Sequence, residues 1–295
     1  MAIHWSVIHS MEALGMFPAK GSVLDIGCSN LYGAEAPAIL DFVQRHNPGT
    51  SQDLAWATAL ASRSGFRPDG IALNQAFVGE LLEAAGMTYE AVDIASSYRT
   101  TILDLNRSEL PEAFVGKNDL VINAGTTEHI INQANAFNAI HEATKVGGLM
   151  YHQVPAAGFA AHGYFCYTGK FFLDMAAYNH YELVDFWYDG PAGHDNLIDS
   201  VEAYKAHFPV LGPYTANRQG VREARVNATP VPNMAVNVLF RRTSEKPFAG
   251  LLDVSTSVGA VGQDVYQSYG RSLGARIMST VKRVATRDWL TRKLK

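Results

Sequence analysis

In four segments of the chain, an acidic or amide residue follows apolar residues. This pattern is typical of strands that meet a ligand at one edge of a sheet. The first is residues 23–30 (VLDIGCSN), where the apolar run leads into a turn of small residues. Small residues let the backbone approach a ligand, and a helix starting there would offer free N–H groups. The others are residues 89–93, 104–106 and 119–125. The series predicts a site for a nucleotide-like ligand.

The acid that ends the second of these segments, Asp93, is the clearest candidate for ligand binding. A carboxylate in this place can accept hydrogen bonds from both hydroxyls of a ribose. The alternative is an ordinary solvated acid at a strand end. The sequence contains neither a Gly-x-x-x-x-Gly-Lys-Ser/Thr run nor a Gly-x-Gly-x-x-Gly run. The first absence argues against a nucleoside triphosphatase, and the second argues against a nicotinamide-dependent dehydrogenase.

The order of these segments resembles the class I S-adenosylmethionine (SAM) dependent methyltransferases, over roughly residues 21–188. The run GTTEH at residues 125–129, with GGLMYH at 147–152 and with His162-Gly163, is similar to a subgroup of methyltransferase-domain proteins. The resemblance implies a Rossmann-like, doubly wound α/β sheet, mostly parallel with an antiparallel edge strand. It also implies an enzyme that takes SAM as its cofactor and transfers the methyl group.

The resemblance also implies which residues contact SAM. The turn after the first strand would surround the methionine part, Asp93 would hold the ribose, and Asp104 would receive the adenine amino group. Ser29 stands where the family usually has a second glycine, so a positive φ there would be strained. The implied cofactor residues are Asp25, Gly27, Ser29, Asn30, Asp93, Ile94, Asp104, Leu105, Asn123, Ala124 and Gly125.

Histidines beside these segments could supply the chemistry, because an alcohol acceptor benefits from a base and histidine is the usual base near neutral pH. Our catalytic candidates are His129 first and His162 second, with Glu128 beside them. His152 is the third histidine of the region, and its alternative role is a buried strand residue. All four side chains could also bind Zn²⁺ or another divalent ion. Because their spacing matches no compact metal motif, we do not favour a metal and assign no residue to one.

The hydrophobic periodicity predicts the elements that must position these residues. A short third strand segment ends at Asp104. By the resemblance, the last two strands form an antiparallel hairpin at the sheet edge. Strands are predicted at residues 21–26, 90–94, 119–123, 149–154, 181–188 and 234–242, and helices at 3–17, 130–145 and 170–177.

We divide the chain into a methyltransferase domain at residues 1–245 and a basic helical extension at 246–295. Residues 34–86 form a helical insertion after the first strand, longer than the single crossover helix that a doubly wound unit needs. We expect it to roof the ligand pocket, since long insertions are often functional. Residues 189–232 form either a substrate-side excursion or a loose loop. The insertion contains helical stretches near residues 36–45, 52–62 and 72–85.

The composition narrows the function class further. The 295-residue chain is 47% hydrophobic and 18% charged, as in ordinary globular proteins. With no secretory signal pattern and only two cysteines, we expect a cytoplasmic protein. Residues 271–295 carry eight cations and one acid, although the whole chain has a net charge of −4. The acidic remainder argues against nucleic-acid binding, while the tail either packs on the domain or contacts an anionic surface.

The sequence therefore predicts a SAM-dependent methyltransferase, most simply one that methylates an oxygen of a small-molecule or glycan-like acceptor with a histidine base. One alternative is a methyltransferase-like fold that serves as a non-catalytic binding module, which Ser29 and the long insertion motivate. Another is an NAD-type oxidoreductase, because Asp93 could equally hold the ribose of NAD.

Overall fold

The computed structural model describes residues 2–68, 70–159, 162–189, 197–198 and 233–253. The helices are α1 (Trp5–Ala13), α2 (Ala36–His46), α3 (Leu54–Arg63), α4 (Val78–Ala84), α5 (Gln133–Ala143) and α6 (Gly169–Tyr178). The strands are β1 (Ala2–His4), β2 (Ser22–Ile26), β3 (Asn30–Tyr32), β4 (Thr88–Asp93), β5 (Thr100–Ile102), β6 (Asn118–Ala124), β7 (Thr144–Ala157), β8 (Glu182–Asp189), β9 (Leu197–Ile198) and β10 (Met234–Arg241).

Eight strands form one mixed sheet in the order β5-β4-β2-β6-β7-β10-β8-β9. The first five in this order are parallel, whereas β10 runs antiparallel to both β7 and β8, and β9 is antiparallel to β8. The chain builds outward from β2 in both directions, which creates a topological switch point between β2 and β6. The predicted fold class, a doubly wound and mostly parallel sheet with an antiparallel edge, is confirmed, and so is the hairpin of β8 with β10.

Helices cover both faces of the sheet, which explains why its central strands are apolar on both sides. Val23, Leu120 and Ile122 belong to the core shared with α1 to α4. Leu24 and Val121, their neighbours in the chain, belong to the core shared with α5 and α6. The carboxyl ends of β2, β4, β5, β6 and β7 therefore meet at one edge, where the sequence predicts a ligand.

The segment that follows β2 differs from the sequence prediction. We expected the turn to lead directly into a helix, but β3 comes first and α2 begins only at Ala36. Two neighbours hold β3 extended: β1 pairs with it in parallel, and Leu31 N–H donates to Ala76 O at 2.9 Å. The predicted leading helix is correspondingly shorter, because residues 2–4 form β1. The expectation of a helix N-terminus at this turn was wrong.

The insertion at residues 34–86 contains three helices, as predicted. Its last helix begins at Val78 rather than near residue 72, because the preceding residues pair with β3 through a bridge between Asn30 and Phe77. Val78 N–H also donates to Ser29 O at 3.0 Å. The insertion is thereby tied to the turn after β2.

Two parts of the predicted organisation lie largely outside the described residues. The structure does not describe residues 190–196 and 199–232 of the predicted excursion or residues 254–295 of the basic extension. The described start of that extension contacts the domain: Lys246 O lies 3.0 Å from His141 Nε2, and Asn179 Nδ2 donates to Gly250 O at 2.8 Å. In the part of the chain that the structure describes, the helices lack the length and apolar character needed to cross a membrane.

Candidate functional site

The turn after β2 is built on a buried carboxylate. Gly27 has a φ of +94°, which a glycine adopts without strain, and its N–H donates to Val92 O at 2.7 Å. Asp25 lies beneath the turn and is 0% exposed, and its Oδ2 accepts from Ser29 N–H at 2.8 Å and from the Tyr89 hydroxyl at 2.9 Å. Burial raises the pKa of Asp25 to about 6, against the effect of these bonds. Asp25 thus braces the turn from inside.

Ser29 fits this turn without the strain that its departure from the family pattern suggested. It is not among the described non-glycine residues with positive φ. The small side chain is fully buried, and its hydroxyl donates to Gly27 O at 3.3 Å. Asn30, the next residue, donates through Nδ2 to Ala76 O at 3.2 Å. Serine therefore fits this position of the turn without a positive φ.

Two predicted acids lie at the carboxyl ends of the neighbouring strands. Asp93 ends β4 half-buried, and its Oδ1 accepts from Ala95 N–H at 3.2 Å. Asp104 follows β5 and accepts from Asn106 N–H at 2.9 Å, so it also stabilises the turn after β5. Both carboxylates remain partly open to solvent. Of their neighbours, Ile94 is 74% exposed and Leu105 is buried.

The loop after β6 brings three more predicted residues to this edge. Gly125 has a φ of +81°, and its N–H donates to Gln153 O at 2.9 Å, which closes the loop onto β7. The Asn123 side chain is fully buried; its Nδ2 donates to Thr127 Oγ1 at 3.0 Å and its Oδ1 accepts from Thr127 N–H at 3.2 Å. Asn123 therefore shapes the loop, while the backbone around Ala124 and Gly125 faces the edge.

His152 does not join the other histidines. It is 1% exposed, and its ring packs among Phe137, Phe172 and Phe240, with centroid distances of 5.7, 5.3 and 5.6 Å. Burial lowers its pKa to about 3, so the ring is neutral at physiological pH. Its Nδ1 lies 3.1 Å from Asn123 Nδ2. His152 is the buried strand histidine of the alternative interpretation.

Glu128, His129 and His162 do come together, and we call them the Glu128 cluster. His162 Nε2 lies 3.3 Å from Glu128 Oε1, and His129 Nε2 lies 4.0 Å from the same oxygen. The two imidazole rings meet edge to face at 4.8 Å between centroids. Glu128 is fully buried, whereas the side chains of His129 and His162 are 40% and 48% exposed. The cluster therefore joins a buried carboxylate to two accessible imidazoles.

Burial changes the acid–base properties of this cluster. It raises the pKa of Glu128 to about 7. It also lowers the pKa of His129, an effect to which the nearby His162 adds. A histidine with a lowered pKa is neutral at pH 7 and can accept a proton. The cluster thus has the groups that a general base needs.

The loop at residues 162–165 holds the cluster in place. Tyr164 N–H and Phe165 N–H both donate to Glu128 O, at 2.8 and 3.3 Å. Gly163 makes this approach possible, because a Cβ there would lie 2.7 Å from Glu128 Cγ. Backbone hydrogen bonds and one close approach therefore hold Glu128 against the loop at residues 162–165, more than thirty positions later in the sequence.

A cavity of about 480 Å³ opens at this edge of the sheet. It joins the start of β3, directly after the turn, with the loop after β6 and the Glu128 cluster, so that Asn30, Gly125 and His162 line one space. The sequence analysis missed several polar residues that line the cavity. Of these, only Gln153 lies at the end of a predicted strand, where a ligand contact could have been expected. Asp93 and Asp104 are not among the described residues that line it. The missed polar residues are Tyr32, Asn74, Gln153, Asp189 and Asn233.

No protein-family model matches this chain, and no curated protein sequence matches it. Solved structures with a similar fold include a protein from Bacillus halodurans described as a methyltransferase (11% identity, 80% of this chain and 99% of that one, TM-score 0.43). Another is the SAM-dependent methyltransferase of Archaeoglobus fulgidus (12% identity, 79% and 93% covered, TM-score 0.38). A third is the 1,6-didemethyltoxoflavin-N1-methyltransferase of Burkholderia thailandensis (11% identity, 81% and 76% covered, TM-score 0.38).

Proposed function

We propose that this chain is a SAM-dependent methyltransferase that methylates a hydroxyl oxygen of a small-molecule or saccharide-like acceptor. One observation carries the proposal: the turn after β2, the loop after β6 and the Glu128 cluster meet at the carboxyl edge of the sheet, beside its switch point. Ligands of open α/β sheets bind at that place. Asn30, which directly follows the turn, and the candidate base therefore line one cavity.

The cofactor side of the proposal rests on the turn and on the strand-end acids. When bound, SAM supplies a methyl group on a sulfonium, which is already activated for transfer. Gly27 and Gly125, both with positive φ, would let the backbone approach SAM without side chains in the way. Asp93 would accept from the ribose hydroxyls, since among the described residues only Ala95 N–H donates to its carboxylate, at Oδ1. Asp104 would accept from the adenine amino group, with Leu105 against the ring.

The acceptor side rests on the Glu128 cluster and the polar lining of the cavity. His129 would take the proton of the hydroxyl, with His162 as the second candidate, and Glu128 would hold the imidazole of His162 from behind. Much of the rate would come from positioning and from exclusion of water. The side chains of Asn30 and Asn74 offer neutral hydrogen-bonding groups, which suit an acceptor rich in hydroxyls.

The cellular setting extends the proposal beyond the site. A cytoplasmic location and the lack of a nucleic-acid partner rest on composition, and contact of the basic tail with an anionic surface rests on its charge. None of these three points affects the chemistry of the cavity.

Isothermal titration with S-adenosylhomocysteine (SAH) tests the cofactor site. Wild type should bind, and Asp93→Ala should bind about 10- to 100-fold more weakly, because a hydrogen bond to a charged group contributes about 1.5–3 kcal/mol. Asp41→Ala is the matched control, since that side chain is 67% exposed on α2, and it should bind like wild type. Tighter binding of NADH than of SAH would favour an oxidoreductase. Folded wild type that binds neither compound would favour the non-catalytic module.

A further inference from the structure

Glu128 presents a problem that the proposed acid–base role does not resolve. Its side chain is 0% exposed, and neither carboxylate oxygen has a hydrogen-bond partner among the described residues. His162 Nε2 is near enough for an ion pair but lacks hydrogen-bond alignment. Buried carboxylates in native proteins are hydrogen-bonded, paired with a cation or bound to a metal. Among the described residues, no hydrogen bond therefore compensates the buried carboxylate of Glu128.

We infer that Glu128, His129 and His162 bind a divalent first-row transition-metal ion, whose remaining coordination positions face the cavity and take a hydroxyl oxygen of the acceptor. One ligand atom from each side chain lies within 4.8 Å of those of the other two. The buried and unpartnered carboxylate of Glu128 is a second, independent indication of a missing cation. His129 and His162 both line the cavity, so an ion held there is reachable.

The ligand set and the distances suit such an ion. Two imidazoles and one carboxylate are the donors that Zn²⁺ and Fe²⁺ take in sites that keep open positions for substrate. Bonds of about 2.1 Å in a tetrahedral site place ligand atoms about 3.4 Å apart. The 3.3 Å between Glu128 Oε1 and His162 Nε2 already fits, and His129 Nε2, at 4.0 Å, has to approach slightly. Both histidine side chains are accessible enough to make that adjustment.

The structure also improves on the metal hypothesis that the sequence allowed. The sequence offered four candidates, Glu128, His129, His152 and His162, with no compact spacing. Burial of His152 in an aromatic core removes it from the set. The loop at residues 162–165 brings His162 to Glu128, which no spacing rule could indicate. The three remaining ligands leave at least one coordination position open.

The role of the ion rests on the methyl-transfer part of the proposed function and takes the place of the histidine base, whereas binding of the ion depends on neither. With the ion bound, the two imidazoles are ligands, and the coordinated hydroxyl becomes the acidic group. Its proton leaves to solvent water, so the oxygen is ready to accept the methyl group. The ion then replaces the imidazole as the activating agent in the same cavity.

Titration of metal-free protein with ZnCl₂ tests the inference. Protein stripped with a chelator should bind one Zn²⁺ per chain in isothermal titration, and Co²⁺ should give the visible absorption bands of a low-coordinate site. Glu128→Gln and His162→Ala should each weaken Zn²⁺ binding by about 100-fold or more, because even second-shell changes cost 10- to 100-fold. His9→Asn is the control: the His9 side chain is 76% exposed and lies outside the cluster, so it should bind Zn²⁺ like wild type.

The results separate the two proposals. The metal site would be overturned if folded wild type did not bind Zn²⁺, or if wild type and both cluster variants bound Zn²⁺ equally well. A loss of Zn²⁺ binding in His9→Asn as large as that in the cluster variants would also overturn it. Circular dichroism checks folding, and His162→Ala, at a half-exposed position, gives the answer if Glu128→Gln does not fold. SAH binding measured on the same samples should be retained by both variants. Protein that binds Zn²⁺ but not SAH would support the metal site and contradict the proposed function.

Discussion

Removal of the Tyr89 hydroxyl should loosen the turn that holds the proposed cofactor. In Tyr89→Phe, Asp25 Oδ2 loses the bond that the hydroxyl donates at 2.9 Å and keeps only that from Ser29 N–H at 2.8 Å. A hydrogen bond to a charged group contributes about 1.5–3 kcal/mol. We therefore expect the free energy of unfolding to fall by about 2 kcal/mol at pH 8, where Asp25 is ionised. The melting temperature should fall by about 5 °C.

The loss should depend on pH, because the pKa of Asp25 is about 6 in the folded protein, whereas an unperturbed aspartate side chain has a pKa of 3.8. The contribution of Asp25 to the free energy of unfolding is greatest below pH 3.8 and falls by about 3 kcal/mol as the pH rises through 6. At pH 5 the folded carboxyl is neutral, and a neutral hydrogen bond contributes only about 1 kcal/mol. Tyr89→Phe should therefore cost less at pH 5 than at pH 8.

Urea unfolding followed by circular dichroism at the two pH values measures both effects. Tyr164→Phe is the matched control, since Tyr164 is 72% exposed, and its stability should equal that of wild type. SAH binding to Tyr89→Phe should also weaken, because the turn is braced by Asp25. An unchanged free energy of unfolding, or an equal loss at pH 5 and pH 8, would refute the role that we give to the buried carboxylate.

Two other substitutions test the packing of the site. Gly163→Ala should lower the free energy of unfolding by about 1–3 kcal/mol, because its Cβ would lie 2.7 Å from Glu128 Cγ; Gly49→Ala, with no atom within 4 Å of its Cβ, should be neutral in the same thermal unfolding assay. As the pH falls from 7.5 to 5, the free energy of unfolding of His152→Asn should rise by about 2 kcal/mol relative to that of wild type. The reason is that the wild-type histidine, with its pKa of about 3, stays neutral when folded but becomes charged when unfolded. A constant difference between variant and wild type across this range would contradict the buried, neutral state of His152.

The sheet was largely predictable because its signals are local. The buried run of β6 indicates a parallel centre, and the resemblance to the methyltransferases implies the antiparallel edge; the structure confirms both. The period of two of a β-strand could also have placed His152, because His152 shares a face of β7 with Met150 and Val154, both in the core beneath α5 and α6. A period of two assigns all three to the packed face.

The sequence could not indicate the features that depend on contacts between distant segments of the chain. The helix expected after β2 is displaced because β1 and Ala76 pair with β3, and neither partner is near it in sequence. The Glu128 cluster forms because Tyr164 N–H reaches Glu128 O. Asn74 enters the cavity from the insertion, whose path across the sheet edge no local pattern specifies.

A crystal structure of the SAH complex tests the central claim most directly. We predict that SAH lies between the Gly27 turn and the Gly125 loop, with its ribose hydroxyls within hydrogen-bond distance of Asp93. Its sulfur should face the cavity that contains Glu128 and His162, so that a methyl group on it points toward the cluster. SAH bound elsewhere, or bound at this edge with its sulfur turned away from the cluster, would contradict the account.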